Sequence, residues 1–420
     1  MRFLIMALGS RGDVIPYATL GKALRAAGHR VRVATFEGFA PLIAAHSLDF
    51  HPVRGDMQAI LNSSSGHALL ESRANPLRMA RAIHRSIGAL AESFARDLYA
   101  PALWDTEVLI SQLPGGLYGC DLAEKLDIPL FAAAVMPLAP SRHYPNLAFP
   151  TRFSFIPGYN RFTHWLAYQL VWQIYRPTAN RWRKRSLGLP NAPMGGYSRW
   201  MEQRPVPVLN GFSAHAAPRP PDWGAHIHVT GYWFPEEKHE QPPDDLRRFS
   251  EAGPPPVFIG FGSMTVRDPA RTTGVVLEAI RRSGRRAVLH AGWAGIGQRE
   301  LPAEVFRIEY APYGWLFPRM AAVVHHGGAG TTAFGMRSGV PCIVVPFLFD
   351  QYYWGRRVAA LGAGPRPIPF ARLSAERLAE AIRVATTDAP MRQRAKALGE
   401  KVRAEGGVQQ AVEIVHRYVA

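Results

Sequence analysis

Two glycine-rich turns hold the residues best suited to chemistry. One is Val323-Val324-His325-His326-Gly327-Gly328-Ala329-Gly330-Thr331-Thr332, an apolar run that enters a glycine turn and continues into a helix. Such a turn gathers unpaired N–H groups and the positive end of a helix dipole at one point, and glycine lets a ligand approach the backbone. His326 and the two threonine hydroxyls add side-chain donors, so the chemistry on offer is anion binding. The turn lacks the Lys-Ser/Thr of a P-loop, which disfavours ATP hydrolysis. Neither this turn nor the one at Gly9 reads G-x-G-x-x-G, which disfavours a dinucleotide redox enzyme. Taken alone, the glycines also fit a turn that serves packing only. The other turn is Gly9-Ser10-Arg11-Gly12-Asp13. Asp13 offers a carboxylate that could take a proton, and it is equally a favoured N-cap for a helix beginning near Val14.

The elements around these turns repeat one pattern. Phe3–Leu8 is a continuous apolar run, as in a parallel strand buried on both faces. Helical spacing from Tyr17 to Ala27 ends at Gly28, and Arg30–Phe36 is the next strand. Strand-like runs follow at Glu107–Leu113, Pro129–Val135, Val206–Phe212 and His226–Trp233, with a helical stretch at about Pro76–Leu98. Gln241–Pro256 has linker composition, after which the pattern restarts. Pro256–Gly262, Arg286–Gly292, Val305–Tyr310, Ala321–His325 and Pro341–Pro346 alternate with helices at Ala270–Ser283, Thr331–Ser338, Gln351–Leu361 and Ala375–Ala385. The fold class expected is α/β, with two Rossmann-like, doubly wound domains facing one another. Their bounds are read as 1–237, a linker 238–255, 256–400, and a C-terminal helix 401–420 that packs back on the first domain. Ligands bind beyond the carboxyl ends of such strands, so the turns at Gly9, Gly260 and His326 are expected to face an interdomain cleft.

Composition sets the class of molecule. A chain of 420 residues, 47% hydrophobic and 11% aromatic, can build two full cores. Cys120 and Cys342 are too few for a disulfide framework and read as buried thiols. No export signal or membrane span is legible, so the expected location is cytoplasmic, with contact at the inner membrane face. The charge of +17 suits nucleic acid, anionic lipid or an anionic small substrate, and an Arg-rich composition set by GC-rich coding gives the same charge with no such partner. The histidines show no second cluster with metal-ligand spacing, and no metal is expected.

Beyond these turns, a longer set of residues resembles a known family. Ala311-Pro312, Trp315-Leu316-Phe317-Pro318, His325–Thr332, Gly339-Val340-Pro341, Val345-Pro346, Asp350-Gln351 and Trp354-Gly355-Arg356-Arg357 resemble the donor signature of family-1 glycosyltransferases. With Gly9–Asp13 and Gly260-Phe261-Gly262-Ser263-Met264, the likeness is closest to the sterol 3-β-glucosyltransferase-like branch and bacterial natural-product glycosyltransferases. It covers the C-terminal half and about the first 40 residues. The resemblance implies a GT-B fold and an inverting, metal-independent hexosyl transfer from a nucleotide sugar, UDP-glucose or a dTDP-sugar. It implies that His326 and the N–H groups of Gly328, Ala329, Gly330 and Thr331 bind the diphosphate, and that Ser263 adds a contact. By the same likeness Tyr310, Ala311 and Tyr313 hold the base, and Asp350 and Gln351 hold the sugar. Asp13 becomes the catalytic base, with Ser10, Arg11 and Gly12 meeting phosphate. Phe334 stands where the plant-type signature has a ribose-binding Glu.

The stretch Ile128–Met201 contains no Asp or Glu, yet carries nine Arg and Lys threaded with aromatics. A lipophilic acceptor pocket, contact with anionic membrane through 142–185, and plain core are the three readings of it. Nucleic acid is disfavoured, because no RNA- or DNA-binding motif accompanies the segment. Rival functions are a GT-B nucleotide-sugar epimerase, a cell-envelope lipid glycosyltransferase, and a non-catalytic nucleotide-sugar or lipid-binding protein.

Overall fold

The computed structural model describes residues 1–63, 66, 91–102, 104–113, 117–235, 242–298 and 300–419. The chain divides into two units, Met1–Pro235 with Gly406–Ala420, and Glu236–Glu405.

Unit one is built on a seven-stranded sheet: β1 (Arg2–Met6), β2 (Arg30–Phe36), β3 (Asp49–Val53), β4 (Val108–Gln112), β5 (Leu130–Ala134), β6 (Val208–Asn210) and β7 (Ile227–Val229). Its order is β3-β2-β1-β4-β5-β6-β7, with every pair parallel. Phe3, Leu4 and Ile5 are wholly buried, as the apolar run requires of a central strand covered on both faces. β3 escapes sequence reading because it is a half-exposed edge carrying Pro52, which a central strand would not tolerate. Of the helical stretch read at 76–98, residues 76–90 lie outside the described residues, and the rest falls in the helix Ala91–Ala102.

The middle of the acid-free stretch becomes a helix, Tyr159–Trp182. Its far end is tied down by borrowed charge. Arg183, almost wholly buried, donates to Asp121 (2.5 Å) and Glu124 (3.0 Å) on the helix Leu117–Leu126, and the Tyr197 hydroxyl also donates to Asp121.

Unit two carries β8 (Val257–Gly260), β9 (Ala287–His290), β10 (Val305–Ile308), β11 (Ala322–His325) and β12 (Cys342–Val344), all parallel in the order β10-β9-β8-β11-β12. The segment read as linker holds the helix Asp244–Glu251, anchored by buried Leu246, while 236–241 lie outside the described residues. The helix Ala389–Arg403 closes this unit, and Gly406-Gly407 breaks the chain before Val408–Val419. That last helix buries Val408, Ala411, Val412, Ile414 and Val415 in unit one, against the helix Arg11–Ala26. There the His416 and His29 rings meet at 2.8 Å. Cys120 and Cys342 are free and buried.

Each sheet has the strand reversal of a doubly wound fold. β1 lies between β2 and β4, and β8 between β9 and β11. Loops leaving such a pair go to opposite faces and open a crevice at the carboxyl ends. The loops concerned are the Gly9 turn in unit one, and the Gly262 and His326 turns in unit two.

Candidate active site

Register makes the unit-two site. Gly260 pairs with His325 across β8 and β11, so the residues that follow them leave the sheet side by side. The His326 ring is thereby held between two glycines. A Cβ on Gly262 would stand 2.7 Å from its Cε1, and one on Gly328 2.4 Å from its Nε2. Gly262 (φ +57°) and Gly327 (φ +93°) also take left-handed backbone, and a Cβ on Gly327 would meet Val344 at 2.6 Å. Only glycine fits these positions.

The two histidines do different work. His325 is wholly buried, and its Nδ1 accepts the Gly327 N–H at 3.0 Å, which pins the turn. Burial pushes His325 down to about 3. Burial first, and then neighbouring His290, push His326 down to about 4, so its ring is neutral at ordinary pH. The His326 Nδ1 is buried without a hydrogen-bond partner. Just beyond it the helix Ala329–Ser338 starts on Gly328, with no capping side chain and no acid in its first turn. Gly328, Gly330, Thr331 and Ser263 are partly exposed. Open N–H groups over a buried, unpartnered imidazole suit a diphosphate. Gly328→Ala is expected to push the His326 ring aside and weaken nucleoside diphosphate binding by about 1–3 kcal/mol, the usual cost of overpacking a fitted site. Titration calorimetry measures this, and a circular dichroism melt checks that the fold is retained.

Around this turn lie the other residues expected from sequence. Tyr310 is 52% exposed and offers a ring face, whereas Ala311 is buried. Tyr313 belongs to an aromatic cluster: it stacks on Phe317 (4.3 Å) and meets Phe334 edge-on at 5.9 Å. Asp350 is half-buried and opens the helix Asp350–Ala360, directly after Phe349 in a strained conformation (φ +44°, ψ −123°). The strain is held by buried Gln351. Its Oε1 accepts from the N–H groups of Phe347 (2.8 Å) and Leu348 (3.2 Å), and its Nε2 donates to Met264 Sδ at 3.2 Å. Gln351 thus ties the Asp350 turn to the β8 loop.

In unit one the helix starts earlier than sequence suggests, at Arg11, with Ser10 as its N-cap. Asp13 is therefore the third helical residue, and not an N-cap near Val14. Its Oδ2 accepts both the N–H and the Oγ–H of Ser10, each at 2.8 Å. Among the described residues Oδ1 has no hydrogen bond, so the carboxylate keeps one free oxygen. Burial raises the pKa of Asp13 above the usual carboxylate value, against the lowering effect of the Ser10 bonds. Gly9 (φ +146°) is required here, since a Cβ would stand 2.6 Å from Asp13 Oδ2. Arg11 and Gly12 are exposed. Gln112 on β4 accepts the Leu8 N–H at 2.6 Å and steadies the loop.

Sequence reading assigned no role to three supporting residues: His325, Met264 and Gln112. Only the adjacent His325-His326 pair left a signal. The other two depend on which strands become neighbours. Among the described residues no group of three or more His, Cys, Asp or Glu is disposed to hold a metal, and no helix is long and apolar enough to cross a membrane.

Comparison with known proteins agrees with this architecture. Residues 3–145 match the glycosyltransferase family 28 N-terminal domain, and 277–420 match the erythromycin biosynthesis protein CIII-like C-terminal domain. A sterol 3-beta-glucosyltransferase of Arabidopsis thaliana is 34% identical over 100% of this chain and 68% of its own length. One from Yarrowia lipolytica is 36% identical over 99% of this chain, which spans only 29% of that protein. Solved structures of the same fold include spinosyn forosaminyltransferase (TM-score 0.69, 18% identity, 100% of this chain and 99% of that one). Another is a Streptomyces sp. SF2575 glycosyltransferase complexed with thymidine diphosphate (TM-score 0.66, 21% identity, 99% of each chain). With a relative 34% identical across all of this chain and two thirds of its own length, and two Rossmann-like units that match GT-B enzymes, this chain belongs to the GT-B glycosyltransferases, in the branch that contains the sterol 3-beta-glucosyltransferases.

Proposed function

We propose that the chain moves glucose from UDP-glucose to a hydroxyl of a lipophilic acceptor such as a sterol, with inversion and without a metal. The observation that supports it most is His326, a neutral, buried and unpartnered imidazole beneath an uncapped helix N-terminus. In this reading the diphosphate lies on that turn, with Ser263 at its side, and the base rests against Tyr310, Ala311 and Tyr313. Asp350 takes sugar hydroxyls, and Gln351, its oxygen already occupied, offers its remaining amide N–H. Asp13 Oδ1 removes the acceptor's hydroxyl proton. The freed oxygen attacks C1 from the face opposite the diphosphate, and the C1–O bond to phosphate breaks. The departing charge falls on N–H donors, on His326, and on Ser10, Arg11 and Gly12, which lets the reaction dispense with a cation. The acceptor and the sugar follow from the relatives, which are sterol 3-beta-glucosyltransferases. Phe334 beside Tyr313 leaves a ring where a ribose-reading carboxylate would be, so a dTDP-sugar is the donor to compare. We further place the enzyme at the surface of an anionic membrane, through the basic aromatic segment 142–185.

The test is release of UDP on incubation with UDP-glucose, or of dTDP with a dTDP-sugar, across a panel of hydrophobic alcohols. Transfer to a sterol-like alcohol at a rate unchanged by EDTA is expected. Free glucose or an isomer without an acceptor would point to an epimerase, and binding without turnover to a non-catalytic protein.

A further inference from the structure

The basic aromatic segment is not one surface. In its second half the large rings go to the core: Trp172 and Trp182 are buried, and Arg183 is spent on Asp121 and Glu124, while Arg181, Lys184 and Arg185 stay exposed with none of the exposed rings Phe155, Phe162 and Trp165 next to them in the chain. Its first half is the reverse. Phe155 is 80% exposed, Phe162 53% and Trp165 58%, with Ile156 also exposed. They sit together on the turn before the helix Tyr159–Trp182 and on that helix's first two turns. A backbone bond joins the two parts, from the Tyr159 N–H at the start of the helix to the Ile156 carbonyl at 3.1 Å. Phe162 and Trp165 stack at 5.7 Å, presenting two rings as one blade. Large apolar side chains grouped in water are costly, and a folded chain that keeps them there has something to set against them.

The charge around the blade says what. Arg152 and Arg161 are exposed and flank it, and neither pairs with a carboxylate among the described residues. Arg152 lies over the Phe153 ring at 4.7 Å. Their own stretch, Ile128–Met201, contains no acid at all. Aromatic tips that enter the headgroup boundary, flanked by two cations on a stretch of chain without acids, match an anionic bilayer. An acidic protein partner would be met by the cations, but would leave the protruding rings without an apolar phase.

We infer that Phe155, Ile156, Phe162 and Trp165 form a wedge that inserts into anionic lipid, with Arg152 and Arg161 on phosphate groups. The rest of the 142–185 segment is scaffold. This rests on the reading of a lipophilic acceptor drawn from a membrane, and sharpens it to one face.

The test uses the full chain and vesicles of phosphatidylcholine with or without phosphatidylglycerol. Sedimentation with the anionic vesicles is expected for the wild type, weakening with salt. The combined variant Phe155→Ser, Phe162→Ser, Trp165→Ser is expected to bind them at least about tenfold less. Arg152→Gln with Arg161→Gln is expected to remove the preference for phosphatidylglycerol. A melt that matches the wild type guards against misfolding, and changes confined to the exposed rings favour that. Transfer to an acceptor dissolved in detergent-free buffer should stay within about twofold, while transfer to one held in vesicles falls with binding. Wild-type binding by the serine variant, or an equal loss with the dissolved acceptor, overturns the wedge. Absence of transfer to any acceptor would defeat the proposed reaction instead, and vesicle binding would still be read.

Discussion

Asp13→Asn is expected to lower kcat about 100- to 10,000-fold, the range that a positioned general base contributes, with nucleotide binding nearly unchanged. Asparagine is the right probe because Asp13 also has a structural duty. Its Oδ2 holds the Ser10 N–H and hydroxyl at the helix start. Alanine would remove that cap as well, at a cost of about 1 kcal/mol in stability. An amide oxygen can still accept from Ser10, so the variant isolates the loss of basicity. The wild-type pH profile gives a second readout. A base must be ionised, and burial raises the Asp13 pKa above the ordinary carboxylate value. The acidic limb of kcat should therefore fall at a higher pH than a solvated aspartate would give, and it should vanish in the variant. Calorimetry with the nucleoside diphosphate, run beside the kinetics, decides the assignment. A loss of nucleotide affinity as large as the loss of rate would remove Asp13 from the role of base.

His326→Ala is expected to act the other way round, raising the donor KM about 10- to 100-fold. That is the value of one hydrogen bond to a charged group, about 1.5–3 kcal/mol. The effect should fall on binding first, because the imidazole meets a diphosphate that is present in both ground and transition states. Since His326 is neutral well below pH 6.5, donor KM should stay flat through the range where an ordinary histidine titrates. A cationic His326 would instead lose donor affinity as pH rises through its pKa. An alanine variant with unchanged donor KM would argue against the diphosphate role.

Much of this protein is written locally. Phe3–Leu8 and Ala321–His325 announce buried parallel strands because their apolar character is continuous. The turn from His326 to Thr331 announces the start of a helix on a glycine turn because glycines and a helix start are adjacent in the chain. Arg30–Phe36 matches the observed strand to the residue. Elements that depend on partners were harder to see. The β3 edge has no apolar run of its own and exists because β2 offers it hydrogen bonds. The helix Tyr159–Trp182 lacks a clean apolar face, since one part of it meets core and another is left open.

Sequence by itself determined the two nucleotide-fold units, the glycine turn at His326 and the carboxylate at the first helix, because each depends on residues next to one another. Tertiary structure decided the rest. The pairing of Gly260 with His325 puts Gly262 against the His326 ring, and the ties of Gln351 to the Phe347-Leu348 backbone and to Met264 set the Asp350 turn. It also sorted the aromatics into core and exposed blade. A residue type tells what a side chain can do, but its burial and partners depend on neighbours far along the chain, which only strand order and register bring to it.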